Sequence, residues 1–118
     1  MSLKILSHLF TGPFPPDEAK VRPNQNPVIF AIVCRGGEPW NPEFTLISID
    51  KSGPSGVVIK DLPDCTKWSK ECDGEIGIYF LPFPRLLFSE TDPRDSIINE
   101  IRTALKPPGG QIPIHGMM

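Results

Sequence analysis

The chain has no basic excess. Lysine and arginine number 12 against 14 acids, so 118 residues carry a formal net charge of -2. A general nucleic-acid binder displaces counterions from phosphates with clustered lysine and arginine, so strong binding to nucleic acid is not expected. Cysteine is sparse: Cys34, Cys65 and Cys72 are an odd number without a framework spacing. That pattern argues against a disulfide-stapled secreted domain and for reduced thiols in a cytoplasmic setting. Long apolar runs are missing. Leu3 to Phe10 is interrupted by Ser7 and His8, is too short for a membrane span, and is followed by no small-residue cleavage site. Ser52-Gly53-Pro54-Ser55-Gly56 lacks the Gly-Lys-Ser/Thr ending of a phosphate loop and reads as a plain turn. Repeats and coiled-coil heptads are also missing.

Proline is abundant, with 15 residues. It cannot donate to a strand ladder and it breaks helix interiors, so elements should be short and their boundaries clearly marked. The length suits one domain over 1–118, with 1–26 as an N-terminal extension and 111–118 as a tail. Leu3 to Phe10 fits a short amphipathic helix, with a strand as the alternative. Val28 to Cys34 is seven apolar residues, rich in β-branched side chains, and reads as a strand covered on both faces. Arg35 to Pro42 reads as a loop by its turn residues. Phe44 to Asp50 is a second strand, close enough to form an antiparallel hairpin with the first. Ser55 is placed to cap a short helix over Val57, Val58, Ile59 and Leu62. Asp64 is placed to cap another over Cys65 to Cys72, with Cys65, Trp68 and Cys72 on one face. Glu75 to Leu81 is a third strand. Asp92-Pro93 opens the clearest helix, with Ile97, Ile98, Ile101 and Leu105 on one face and Pro107-Pro108-Gly109-Gly110 as its stop. The fold class is therefore α+β: a small, mainly antiparallel three-stranded sheet with flanking helices.

Candidate chemistry is thin. Cys65 and Cys72 as metal ligands would need four donors at closer spacing, with only His8 and His115 to complete them; a core thiol pair is the simpler account. Cys34 as a nucleophile would need an open, polarised site, yet it ends an apolar strand. Asp61, Asp64, Asp92 and Asp95 read as caps or solvated surface. Lys51, Lys60, Lys67 and Lys70 with Trp68 form a basic and aromatic set of the kind that grips single strands, but acids are interleaved among them. Trp40, in Pro39-Trp40-Asn41-Pro42, and Phe83 to Phe88, with Leu86 and Leu87, are apolar loops. Each either covers the core or marks an interface.

The order strand, strand, glycine turn, helical region, strand, final helix and Pro-Pro resembles a GIY-YIG nuclease-type domain over roughly residues 13 to 110. Pro27-Val28-Ile29-Phe30 stands where that family has Gly-Ile-Tyr, Ser48-Ile49-Asp50 where it has Tyr-Ile-Gly, and Ser52-Gly53 where it has its Ser-Gly turn. The departures are chemical. The resemblance puts Phe30 and Ser48 at the two tyrosine positions, Val58 at the arginine, Ile98 at the metal-binding glutamate and Gly110 at the asparagine. Phosphodiester cleavage needs a metal ion and cations to offset charge on the phosphoryl oxygens, and these side chains supply neither. The resemblance thus implies a degenerate scaffold without catalytic residues, cofactor or metal. The expected function is a non-catalytic binding or protein-interaction module, with Trp40, Phe83, Phe88, Lys51, Lys60, Lys67 and Trp68 as binding candidates. The alternative is a divergent phosphodiesterase or nucleic-acid binder using Glu100 and the lysines. A third reading is an unrelated small α+β enzyme. The sequence assigns neither a particular partner nor an oligomeric state, and it calls for no membrane contact.

Overall fold

The computed structural model describes residues 2–23, 25–84 and 92–112. Strands account for 49% of these and helices for 22%. Among the described residues the main sheet has six strands: β1 (Ser2–Ile5), β2 (His8–Phe14), β4 (Val28–Glu38), β5 (Asn41–Lys51), β7 (Glu75–Pro82) and β8 (Gly110–Ile112). Their order is β1-β2-β7-β4-β5-β8, every neighbour is antiparallel, and the sheet curls into a half-barrel. A small second sheet pairs β3 (Lys20–Val21) with β6 (Val57–Val58). The helices are α1 (Cys65–Glu71) and α2 (Pro93–Leu105).

This corrects the expected three-stranded sheet with flanking helices. The three runs read from the sequence do pair, as β7-β4-β5, with α2 against them. The missing strands lie mostly in the supposed N-terminal extension. Residues 2–14 form a hairpin that adds β1 and β2 to the sheet. The helix reading of Leu3 to Phe10 fails because the buried side chains, Leu3, Ile5 and Phe10, alternate along two strands joined at Leu6 and Ser7. At the other edge, β8 draws Gly110 to Ile112 out of the supposed tail and onto β5. The helix expected after Ser55 is instead β6 and a 3-10 turn over Ile59–Asp61, in keeping with its β-branched residues.

Both sheet faces are covered, which explains the unbroken apolar run in β4. Ile29, Ala31 and Val33 join the core under α2, with Leu3, Ile5, Phe10, Leu46, Ile98 and Ile101. Phe30, Ile32 and Cys34 join the opposite core, with Ala19, Ile47, Ile59, Trp68 and Ile78. In β5 the register shifts beside Ile47, since Ser48 pairs with Ile32 and Leu46 with Val33. This bulge sends Ile47 to the α1 side while Leu46 and Ile49 both stay on the α2 side.

α2 begins as its sequence suggests. The Asp92 carboxylate accepts from the Arg94 backbone N–H at 3.0 Å, and Pro93 sits in the first turn. The expected free thiols are corrected too: Cys34 on β4 and Cys72 at the end of α1 form a disulfide, and Cys65 is unbridged and half-buried. Among the described residues, no helix is long and apolar enough to cross a membrane.

Candidate interaction surface

Beyond the bulge, the long β4–β5 hairpin keeps one register from Val33 and Leu46 out to Glu38 and Asn41, leaving Pro39 and Trp40 as its connection. The segment expected to be a loop, Arg35 to Pro42, is therefore mostly strand. Gly37 permits the turn: its φ is +78°, and a Cβ there would lie 2.7 Å from the Asn41 carbonyl oxygen. Trp40 at the tip is 81% exposed, while Glu38 and Glu43 near it are exposed carboxylates. The base of the hairpin is fixed between the two cores, so the ring is carried on a paired arm.

Phe83 has the opposite fate. It is buried in the α2-side core, and its N–H donates to the Pro27 carbonyl at 2.9 Å. Phe88, Leu86 and Leu87 lie outside the described residues, as does His115.

The basic and aromatic set is divided among different settings. The Lys51 ammonium reaches Asp95 at 2.7 Å and Asp92 at 3.3 Å. The hydrogen bond to Asp95 raises its pKa most, with Asp92 adding to the effect against some desolvation. Lys60 is exposed on the 3-10 turn, and Lys67 and Lys70 are exposed on α1. Trp68 is 5% exposed and belongs to the core, so its faces are not open for stacking. Asp64, Lys67 and Glu71 line a groove of about 300 Å³ together with Ser48, Arg102 and Lys106. Arg102 is fixed there by donating to the Ile49 carbonyl at 2.7 Å.

The residues at the resembled catalytic positions occupy separate surroundings. Phe30 is in the α1-side core, Ser48 lines the charged groove, Val58 is on β6 in the small sheet, and Ile98 is in the α2-side core. Glu100 meets His8 of β2, Oε1 to Nε2 at 3.0 Å. Cys72, bridged to Cys34, has no thiol to offer a metal, and Cys34 has none to act as a nucleophile.

Two features escaped sequence reading. Phe14 and Phe80 lie 5.5 Å apart between ring centres, tilted by 39°, in a groove of about 440 Å³ that Val21, Val28 and Pro82 also line. The only hint was Phe14 standing before Pro15-Pro16. The second is buried Arg94. Its guanidinium donates to Asp92 from Nε and Nη2, to the Val28 and Ser52 carbonyls from Nη1, and to the Ser52 hydroxyl. Ser52 in turn accepts from the Val28 N–H at 3.0 Å. The hydrogen bond from Arg94 is the main reason the Asp92 carboxyl is pulled down to about 2.

Comparison with protein-family models, with curated proteins and with solved structures gives no match.

Proposed function

We propose that the chain is a non-catalytic protein-binding module whose contact centres on Trp40. The observation that carries this reading is the 81% exposure of that ring at the end of a paired hairpin. Aromatic side chains dominate binding hot spots because they bury large apolar area with few rotatable bonds. A stiff arm adds little ordering cost on association. Glu38 and Glu43 beside the ring favour an apolar pocket rimmed by basic groups. The nucleic-acid alternative draws less support, because Lys51 is tied to two carboxylates and Trp68 is buried.

The test is capture on the immobilised 118-residue chain from a lysate of its source, using wild type, Trp40→Ala and Val58→Ala. The expected result is a protein held by wild type and Val58→Ala, lost with Trp40→Ala, and bound again when the two purified proteins are mixed. Equal retention by Trp40→Ala overturns the proposal.

A further inference from the structure

α1 is poorly equipped to hold itself on the sheet. It has seven residues, well below the roughly 12–15 that an isolated helix needs to persist in water. Among the described residues, Asp64 at its start makes no side-chain cap hydrogen bond, and its first turn carries no acid. Its one fully buried side chain is Trp68, while Cys65 and Cys72 are half-buried against the same core. The remaining attachment is covalent: the disulfide from Cys72, at the helix C-cap, to Cys34 on central strand β4.

We propose that the Cys34–Cys72 disulfide is a redox latch that holds α1, and with it the Lys67 and Glu71 wall of the charged groove, against the sheet. When closed, the latch keeps Lys67 and Glu71 in the groove that Arg102 and Lys106 also line. When opened, it leaves α1 with Trp68 as its main anchor, and the groove loses a fixed wall. Cys72 is the more exposed partner, half-buried at the helix end, whereas Cys34 is 8% exposed on its strand. A dithiol reductant supplies the two electrons. One of its thiolates attacks Cys72 Sγ, the S–S bond breaks, and Cys34 leaves as a thiolate. The reductant's second thiolate attacks the mixed disulfide and Cys72 leaves in turn. The reductant departs as its own disulfide, and its two thiol protons end on Cys34 and Cys72. Disulfides persist in oxidising compartments and are transient in the reducing cytosol. The latch is therefore closed in the first setting and open in the second.

Hydrogen exchange on the 118-residue chain tests this, in air-oxidised form and after treatment with dithiothreitol. On reduction the amides of residues 68–71 should lose at least about tenfold more protection than those of β4, β5 and β7. In a Trp40→Phe background, which leaves Trp68 as the reporter, the emission should shift to the red. Cys34→Ala/Cys72→Ala should match the reduced chain and ignore the reductant, and Cys65→Ser should respond as wild type does. Four results overturn the latch: free thiols at Cys34 and Cys72 in the oxidised chain, unchanged α1 exchange, a loss of protection no greater in α1 than in the sheet, or a response that disappears with Cys65→Ser.

Discussion

On one face of the sheet, α2 sets Ile98 and Ile101 into a core with Ile29, Ala31, Leu46 and Ile112. On the other, α1 contributes the Trp68 ring to Ile32, Ile47 and Ile78, and a disulfide ties its end down. α2 has thirteen residues, a capping Asp92, Pro93 in its first turn and a left-handed C-cap at Lys106, whereas α1 has seven residues and no side-chain cap bond among those described. A helix with a long apolar stripe and satisfied ends stays in place by packing. A short one needs another constraint, and here the constraint is covalent. Burial on both faces of β4 therefore does not mean equal security on both faces.

The largest expected effect comes from removing that constraint. The bridged cysteines are 38 residues apart in sequence. Chain-entropy arguments give such a cross-link about 4 kcal/mol of stabilisation through the unfolded state. Denaturant titration of Cys34→Ala/Cys72→Ala should show a loss of that order, and a loss below about 1 kcal/mol would mean that the cross-link constrains the unfolded chain little. The matching cut on the other face is Ile101→Ala. Ile101 is fully buried, and such truncations cost about 2–5 kcal/mol. Its effect should spread across the sheet and be indifferent to reductant. Sensitivity to dithiothreitol confined to the α1 face would sharpen the contrast.

Acid should attack the α2 face first. Asp92 titrates at about 2 when folded, against an ordinary 3.8. Because the folded value is the lower one, its stabilisation is fully present above pH 3.8 and is lost as pH falls toward 2. The shift corresponds to about 2 kcal/mol. Stability measured between pH 5 and pH 2 should fall in wild type, and Asp92→Asn should remove that portion of the slope. An unchanged slope in Asp92→Asn would place the acid sensitivity elsewhere.

The sequence made this comparison only half legible. Val28 to Cys34, Glu75 to Leu81 and the Asp92-Pro93 start announce themselves because apolar runs and helix capping leave local marks. β1 and β2 do not, because Leu3 to Phe10 satisfies period 3.6 about as well as period 2 until the turn at Leu6 and Ser7 is known. The bulge at Ile47 interrupts the alternation of β5, so pattern alone misassigns faces there. The Cys34–Cys72 bridge depends on topology that spacing cannot supply. Trp40 and Phe83 look alike in sequence, each an aromatic beside prolines, and only the strand register carries one to the hairpin tip and the other into the core.

The smallest expected effect on stability belongs to the residue proposed to matter most for binding. Trp40 is 81% exposed, so folding removes little of its apolar surface from water. Trp40→Ala should change stability by no more than about 0.5 kcal/mol, as surface substitutions usually do. Trp68→Ala removes the buried ring of α1 and should cost about 3–5 kcal/mol, the range for large aromatic truncations. The two tryptophans thus give a direct comparison between a ring that holds the fold and a ring that is carried by it. Acrylamide quenching separates them before any partner is known: Trp40→Phe should leave a shielded emission from Trp68, and Trp68→Phe an open one from Trp40. A shielded Trp40, or a stability loss from Trp40→Ala approaching that of Trp68→Ala, would mean that the tip packs on its own chain and would remove the basis for the proposed interface.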